Sequence, residues 1–325
     1  MRAPPRRGLN RVAAPFRILA LSGGGYQGLY TAQVLTAIEA AGPGPLRDRF
    51  DLISGTSVGG IIALALAAGV PAARVVRSFL DAGPALFPNG APPAGRLSAV
   101  LDALRSLSRP KYDPAPLREM MGGFPRPDLR LCDLPVEVLI PATRMRDGEP
   151  VLFSAREHGG VSVIDAALAT SAAPMMFPTH RIGDECYADG AIFATAPDLI
   201  ALGRAQRVHG AQLRDIHMLS VGTLNARFRL APPDTERLGV LGWIAGQRLV
   251  RTVLASQERL VTRTCVDLLG ERYLRLDAEV SEGEGARIGL DVATPEAQKI
   301  ISRIASETVR EIRGARPPFW GGRSD

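Results

Sequence analysis

Residues 50–60 read Phe50-Asp51-Leu52-Ile53-Ser54-Gly55-Thr56-Ser57-Val58-Gly59-Gly60, an apolar run that ends in a serine framed by glycines. A second apolar stretch follows directly, so the pattern predicts a strand, a tight turn and a buried helix. A Gly-x-Ser-x-Gly turn at such a junction exposes its serine hydroxyl as a nucleophile. We therefore predict that Ser57 is an attacking group at the edge of a sheet, with Gly55 and Gly59 supporting the turn.

Another glycine-rich turn comes earlier in the chain. Ile18-Leu19-Ala20-Leu21 leads into Ser22-Gly23-Gly24-Gly25-Tyr26-Gln27-Gly28 and then into a helix-like stretch. Backbone N–H groups that open a helix suit a developing negative charge. We expect Gly23, Gly24 and Gly25 to form an oxyanion hole, with Gly28 completing the turn. An attacking serine together with an oxyanion hole indicates an acyl hydrolase.

The first turn alone also fits a dinucleotide-binding loop of the form Gly-x-Gly-x-x-Gly. That interpretation requires an acidic residue at the end of the next strand, where it holds a ribose. The next strand ends at Ser54 and Gly55, and its only acid, Asp51, lies at its start. A dinucleotide fold also leaves the serine turn without a role, so we favour the hydrolase.

Composition excludes several other classes. The chain has 325 residues, 46% of them hydrophobic, and a net charge of +6 that is carried almost entirely by arginine. No basic stretch interleaved with aromatic residues marks a groove for a nucleic-acid polymer. Three widely spaced cysteines fit neither a disulfide framework nor a zinc site, so no metal is expected. Since residues 1–15 hold no apolar core of signal-peptide length and the longest apolar run, 58–70, is too short to span a membrane, we expect a soluble, cytoplasmic protein.

The order of predicted elements indicates an α/β fold. Strand, glycine turn and helix repeat twice between residues 16 and 80, as expected of a mainly parallel sheet covered by helices. Later strands are predicted at residues 136–140, 151–153, 187–189, 216–221 and 272–276, and later helices at residues 165–171, 241–269 and 295–313. We expect a single domain over residues 16–313, a disordered tail at 1–15 and a flexible tail at 314–325.

The region of about residues 83–125 is predicted to be an insertion. Residues 83–95 are rich in proline and glycine, apolar residues then recur at helical spacing from Leu97 to Leu107, and Asp113-Pro114 begins a further helix. A proline-rich loop beside an apolar stripe with arginines is typical of a lid or an interfacial helix. A helix that packs in the core has the same periodicity, so both interpretations stay open.

A serine nucleophile requires a base. In α/β-hydrolases a histidine follows the acid of the triad, so Asp189 with His209 or His217 is one candidate set. His217 lies in a strand-like run and His209 in a polar turn, which are positions typical of structural or surface histidines. Asp189 ends a predicted strand and precedes Gly190, which frees the backbone, so its carboxylate is the better candidate base.

The glycine turn, Gly55-Thr56-Ser57-Val58-Gly59 and Asp189-Gly190-Ala191 together resemble the patatin-like phospholipase family in order and spacing. Ala169-Thr170-Ser171-Ala172-Ala173-Pro174 also looks like that family's helix-ending block. The resemblance implies a three-layer α/β/α patatin-like fold and a Ser57–Asp189 dyad without histidine, with Gly24 and Gly25 as the principal oxyanion donors. Many relatives carry Arg or Lys at the position of Gln27, and the neutral residue would attract an anion less strongly.

Within the family, residues 16–66, 257–260 and 272–277 look most like bacterial phospholipase effectors that cyclic dinucleotides activate in anti-phage defence. The resemblance implies a membrane glycerophospholipid as substrate, peripheral contact with the inner membrane surface, no cofactor other than a cyclic dinucleotide activator, and a homo-oligomer as a possible partner state. It also favours the lid interpretation of residues of about 83–125, because a cytoplasmic lipase that is always open would attack the membrane of its own cell. A constitutive esterase or an acyltransferase would use the same dyad without a nucleotide. A triad esterase acting on soluble esters would require one of the histidines.

Overall fold

The computed structural model describes residues 14–88, 110–123, 126, 128–224, 239, 243, 248–285 and 287–315. Eight strands within these ranges form one sheet in the order β5-β6-β3-β2-β1-β7-β8, and β4 pairs with β3 beside this path. The strands are β1 (Phe16–Leu21), β2 (Leu52–Gly55), β3 (Glu137–Arg144), β4 (Pro150–Phe153), β5 (His180–Ile182), β6 (Glu185–Asp189), β7 (Ile216–Val221) and β8 (Tyr273–Leu276). The five strands from β3 to β8 along the path pair in parallel, and the other three pair antiparallel.

Helices pack on both faces of this sheet. In the described ranges they are α1 (Gly28–Ala41), α2 (Val58–Ala67), α3 (Ala72–Leu86), α4 (Ala115–Gly122), α5 (Ala155–His158), α6 (Val163–Thr170), α7 (Asp198–His209), α8 (Arg248–Leu269), α9 (Glu282–Gly285) and α10 (Pro295–Ala315). Every residue of α2 is buried, which agrees with its continuous apolar sequence. Across these ranges, no helix combines the length and the hydrophobicity that a bilayer crossing requires.

Alternate residues of the central strands face different helix layers. Leu19 and Leu21 of β1 belong to a large core with α1, α2, α3, α6 and α10, whereas Ile18 and Ala20 pack with α7 and α8. A strand whose two faces are both buried reads as a continuous apolar run because each face meets helices. The predicted three-layer α/β/α fold with a mainly parallel central sheet is therefore confirmed.

Strand register brings the predicted motifs to one edge of the sheet. Leu21 of β1 lies opposite Gly55 of β2 and Val221 of β7, so the carboxyl ends of these strands meet. The longer strand β3 continues past the end of β2, and its Ala142 pairs with Asp189 at the end of β6. The glycine loop, the serine turn and Asp189 consequently surround one cleft.

The predicted strands and helices that fall on described residues are present, with boundaries shifted by a few residues, whereas β5 and α7 were not predicted. The expected break at residues 83–95 is wrong at its start, because α3 continues to Leu86 with Pro84 inside it. Gly83 lies under the ring of Tyr26, where a Cβ would clash, so this glycine serves close packing and not a turn. Strand β8 begins at Tyr273, and α10 continues to Ala315.

Some predictions fall on residues outside the described ranges. They are the tail at 1–15 apart from its last two residues, the helix from Leu97 to Leu107, the start of the long helix before Arg248, and the tail beyond Ala315. In the described part of the predicted insertion, α4 begins at Ala115, and the carboxylate of Asp113 accepts a hydrogen bond from the Ala115 amide at 2.8 Å.

Candidate active site

Ser57 occupies the turn between β2 and α2 in a backbone conformation that side chains rarely adopt. Its φ is 54° and its ψ is −125°, and such strain in a non-glycine residue is concentrated at functional sites. The turn is possible because glycines lie where backbones touch: a Cβ on Gly59 would collide with the carbonyl oxygens of Leu21 and Ser22, and one on Gly55 with that of Gly59. The motif thus presses the start of α2 against the end of β1.

The carboxylate of Asp189 reaches the serine from the end of β6. Asp189 is 2% exposed, and its Oδ1 accepts a hydrogen bond from the Ala191 amide at 2.8 Å. Burial raises the pKa of Asp189 to about 7, and hydrogen bonds from the Ser57 hydroxyl and the Ala191 amide oppose this rise. A base with a pKa near neutrality both accepts and returns a proton readily. Gly190 leaves room here for the carbonyl of Pro141.

The three glycines of the first turn are not equivalent. The Gly23 amide donates to the Thr195 carbonyl at 2.9 Å, so the expectation that it donates to an oxyanion is wrong for this structure. The amides of Gly24 and Gly25 have no protein acceptor among the described residues, and both glycines line the cleft beside Ser57. They lie just before α1, where backbone donors favour an anion.

Neighbouring segments hold the glycine loop in place. Gly25 has a φ of +56°, and a Cβ there would collide with the Leu290 carbonyl. That carbonyl accepts the Tyr26 amide at 2.7 Å. The side chain of Gln27 is buried and donates to the Ile288 carbonyl at 2.6 Å. Gln27 therefore fixes the loop that supports Gly25. A neutral side chain that donates a hydrogen bond fits this buried position. Gly28 packs directly against the Val58 side chain.

Two threonines that sequence analysis did not assign support the turns. Thr170 Oγ1 accepts the Ser57 amide at 3.0 Å and donates to the Pro141 carbonyl at 2.6 Å. Thr223 Oγ1 donates to the Gly23 carbonyl at 2.8 Å and lies directly behind Gly24. Thr170 belongs to the helix-ending block singled out in the sequence, but nothing in the pattern indicated which residue it contacts.

Ser57 and Asp189 open onto an apolar cavity of about 120 Å³. Its walls include Ile61, Phe79, Phe87, Leu117, Phe177 and Leu254. Ligand sites of this kind combine apolar walls with a few placed polar groups. The cavity is thus suited to an apolar chain whose polar end lies at Ser57, Asp189 and the free glycine amides.

None of the four histidines lines this cavity. His217 pairs with Arg17 at the amino end of β1, whereas Ser57 follows the carboxyl end of β2. The Nε2 atom of His209 lies 2.7 Å from the Glu137 carboxylate, and its ring packs on Phe16. The alternative triad is wrong because both candidate histidines lie at the opposite end of the sheet.

Within the described ranges, no three histidine, cysteine or acidic side chains are placed to share a metal ion. The sheet, the serine turn and the apolar cleft are together those of a carboxylic ester hydrolase. The family model described as patatin-like phospholipase matches residues 19–202, and the chain belongs to this family. The fold, the enzyme class and the family expected from the sequence are therefore confirmed.

Two curated relatives extend the similarity over most of the chain. A cGAMP-activated phospholipase of Escherichia coli (strain TW11681) is 32% identical over 314 residues, covering 88% of this chain and 86% of the relative. A cGAMP-activated phospholipase of Vibrio cholerae serotype O1 is 33% identical over 319 residues, covering 89% and 88%. Among solved structures, human GIVD cytosolic phospholipase A2 matches with 12% identity and a TM-score of 0.46, over 97% of this chain and 61% of that one.

Proposed function

We propose that the enzyme hydrolyses acyl ester bonds of membrane glycerophospholipids with Ser57 as nucleophile and Asp189 as general base. The observation that carries this proposal is that Ser57, in its strained turn, and the buried Asp189 carboxylate line the same cavity, where the Ser57 side chain lowers the pKa of Asp189. An ionised Asp189 withdraws the proton from Ser57 Oγ as that oxygen attacks the ester carbonyl. The proposal needs no histidine, because Ser57 and Asp189 line one cavity and none of the four histidines lines it.

Backbone amides of the glycine loop stabilise the negative charge that develops in this step. As the C–O bond to Ser57 forms, the carbonyl electron pair moves onto oxygen, and the amides of Gly24 and Gly25 stabilise the resulting anion. Loss of one such donor typically raises the barrier by about 3–4 kcal/mol. Collapse of the intermediate releases the lysophospholipid, which takes the proton from Asp189. Water then gives a proton to Asp189, attacks the acyl-serine ester and releases the fatty acid, with Ser57 reprotonated.

The cleft supports a long acyl chain as the group transferred. Its walls are apolar along their length, and exposed apolar side chains stand next to lining residues: Met175 beside Met176, Ile192 beside Ala191, and Val253 beside Leu254. Exposed apolar residues around a lipid-binding cleft favour contact with the interface of a bilayer. Peripheral membrane contact at this rim is part of the proposal.

Activation by a cyclic dinucleotide is the second part of the proposal, and with it a role in anti-phage defence. Its support is the similarity to cGAMP-activated phospholipases over nearly the whole chain. The described ends of the predicted lid region fit a gate, because Leu86, Phe87, Leu117 and Met120 all line the cleft. An activator changes the open population only by binding the open form more tightly, by about 5.5 kcal/mol for a nearly complete switch.

One experiment tests both parts. The purified full chain is incubated with phosphatidylethanolamine and phosphatidylglycerol vesicles, with and without a panel of cyclic di- and trinucleotides, and released fatty acid is quantified. We expect low basal release, a sharp rise with 3′,3′-cyclic GMP-AMP or another cyclic dinucleotide, and no release from Ser57→Ala or Asp189→Ala. His209→Gln, which alters a histidine at the far end of the sheet, is the matched control and should retain activity.

The alternatives give different results in the same assay. A constitutive esterase would release fatty acid at full rate without nucleotide, and calorimetry would detect no nucleotide binding. An acyltransferase would pass the acyl group to an added alcohol in preference to water. The first result would contradict activation by a nucleotide, and the second would contradict hydrolysis as the reaction. Neither result would contradict the Ser57–Asp189 dyad. Activity in Ser57→Ala would remove the dyad itself.

A further inference from the structure

Helix α8 touches both halves of the catalytic site within a single turn, although it contributes neither the nucleophile nor the base. Leu254 lines the cleft. One turn later, Gln257 Nε2 donates to the Ile192 carbonyl at 3.0 Å. Ile192 closes the short 3₁₀ turn that begins after Asp189 and contains the Ala191 amide. Gln257 therefore braces the backbone that orients the Asp189 carboxylate.

The neighbouring residue, Glu258, reaches the other half through a buried arginine. Glu258 forms an ion pair with Arg275 of β8, and the Glu258 and Arg275 side chains are 7% and 12% exposed. Arg275 Nη1 also donates to Ser22 Oγ at 2.9 Å and to Ser220 Oγ at 2.8 Å. Ser22 directly precedes Gly23, so this arginine fixes the point at which β1 enters the glycine loop.

Arg275 gathers further contacts on the same side of the loop. Its Nη2 donates to Asp277 Oδ2 at 2.8 Å, and Asp277 Oδ1 accepts the Leu224 amide at 3.0 Å. Leu224 follows Thr223, whose hydroxyl holds the Gly23 carbonyl. The planar guanidinium donates in several fixed directions at once, which an ammonium group does not. One side chain thus connects β1, β7, β8 and α8 behind the oxyanion loop.

These polar groups are costly to bury, and apolar residues would fill the same volume at lower cost. Replacing a buried ion pair by apolar residues is often neutral or stabilising. In addition, Gln257 Oε1 and Glu258 Oε2 are buried without a partner among the described residues. Unpaired buried acceptors destabilise a fold, so stability alone does not account for this cluster. The fixed directions of its hydrogen-bond donors explain the cluster better than stability does.

We infer that Gln257, Glu258 and Arg275 are positioning residues that hold the Asp189 turn and the glycine loop in alignment for ester hydrolysis. The inference rests on the proposed roles of Ser57 and Asp189. A shift of α8 would disturb the base and the oxyanion donors together, because one turn of the helix holds both. Misplacement of reacting groups by about 1 Å costs up to about 100-fold in rate.

Two substitutions of Gln257 separate positioning from packing. Gln257→Met keeps the length of the side chain and removes the donor to Ile192, whereas Gln257→Lys keeps a donor of similar reach. Ser256→Ala is the matched control, since Ser256 is exposed and its hydroxyl donates to the Val253 carbonyl within α8. Each full-length variant is assayed with a medium-chain p-nitrophenyl ester in the presence of the cyclic nucleotide that gives the highest wild-type activity, and kcat is expressed per active site titrated with a fluorophosphonate.

We expect Gln257→Met to lower kcat about tenfold with KM unchanged and melting temperature close to wild type, following the general cost of misaligned groups. Gln257→Lys should recover most of kcat, Ser256→Ala should match wild type, and Glu258→Gln should lower kcat per titrated site by a similar factor. Wild-type kcat in Gln257→Met, or equal loss in Gln257→Met and Gln257→Lys, would overturn the inference. Failure of the proposed function would show separately, as ester hydrolysis that survives Ser57→Ala.

Discussion

Replacing Asp189 with asparagine removes one buried ionisable group and keeps the shape of the side chain. Burial raises the pKa of this carboxyl from 3.8 to about 7, so the folded protein keeps a proton that the unfolded chain releases. A group whose pKa rises on folding stabilises the folded state at low pH, and this contribution is lost as pH rises through the folded pKa. The wild type should therefore lose the contribution of the Asp189 carboxyl to its unfolding free energy between pH 5 and pH 8. The Asp189→Asn variant lacks this carboxyl and should show no such loss.

The size of the effect follows from the two pKa values. Each pH unit between the unfolded and the folded pKa changes the unfolding free energy by about 1.4 kcal/mol. From pH 5 to a folded pKa of about 7, the Asp189 contribution falls by about 2.5 kcal/mol, and little of it is left at pH 8. Other ionisable groups are common to both proteins, so the difference between the two unfolding free energies isolates this carboxyl.

Urea unfolding of both proteins at pH 5, 6.5 and 8 measures that difference. We expect Asp189→Asn to become more stable relative to wild type by about 2.5 kcal/mol from pH 5 to pH 8, and to have no esterase activity at any pH. The wild-type kcat/KM should rise with pH through a midpoint near 7, because only the ionised carboxylate accepts the serine proton. A stability difference independent of pH, or an activity midpoint near pH 4, would refute a buried base with a raised pKa.

Other substitutions test the supporting contacts. Gly24→Ala should lower kcat at least about 100-fold, because the new Cβ would collide with the Thr223 side chain. The control, Gly203→Ala, lies in an open position of α7; it should keep activity, and its unfolding free energy should rise by up to about 1 kcal/mol. Thr170→Val should cost about 1–3 kcal/mol in urea unfolding and lower kcat, and unchanged values would show that the Ser57 amide needs no acceptor. Gln27→Leu should cost a similar 1–3 kcal/mol by leaving a buried carbonyl unpaired, and a variant as stable as wild type would contradict that role.

The glycine loop and the serine turn could be predicted because their signals are local. A strand, a glycine-framed serine and an apolar helix lie within twenty residues, and the chemistry of such a turn constrains each position. The position of Asp189 could also be predicted from the sequence, since an aspartate that ends a strand and precedes a glycine is a local signal too. Layer order followed from the alternation of strands and helices. These features require no knowledge of which distant segments meet.

What sequence analysis missed depends on contacts between distant segments. The Gly23 amide is occupied by Thr195, which lies far along the chain, and no local pattern shows that one of three adjacent glycines is already paired. Glycine and proline usually interrupt a helix, but Gly83 and Pro84 lie inside α3, where Gly83 makes room for the ring of Tyr26. Residues 257–260 and 272–277 are singled out by the resemblance, but only the packing of α8 beside β8 brings Glu258 to Arg275.

The most direct test of the central claim is to identify the residue that becomes covalently bound during turnover. The full chain is treated with a long-chain fluorophosphonate in the presence of the cyclic nucleotide that gives the highest activity, digested and analysed by mass spectrometry. We predict one modified peptide, phosphonylated at Ser57, with labelling abolished in Asp189→Asn although that variant remains folded. Inactivation with the label on another residue, or Ser57 labelling that proceeds unchanged in Asp189→Asn, would contradict a Ser57–Asp189 dyad.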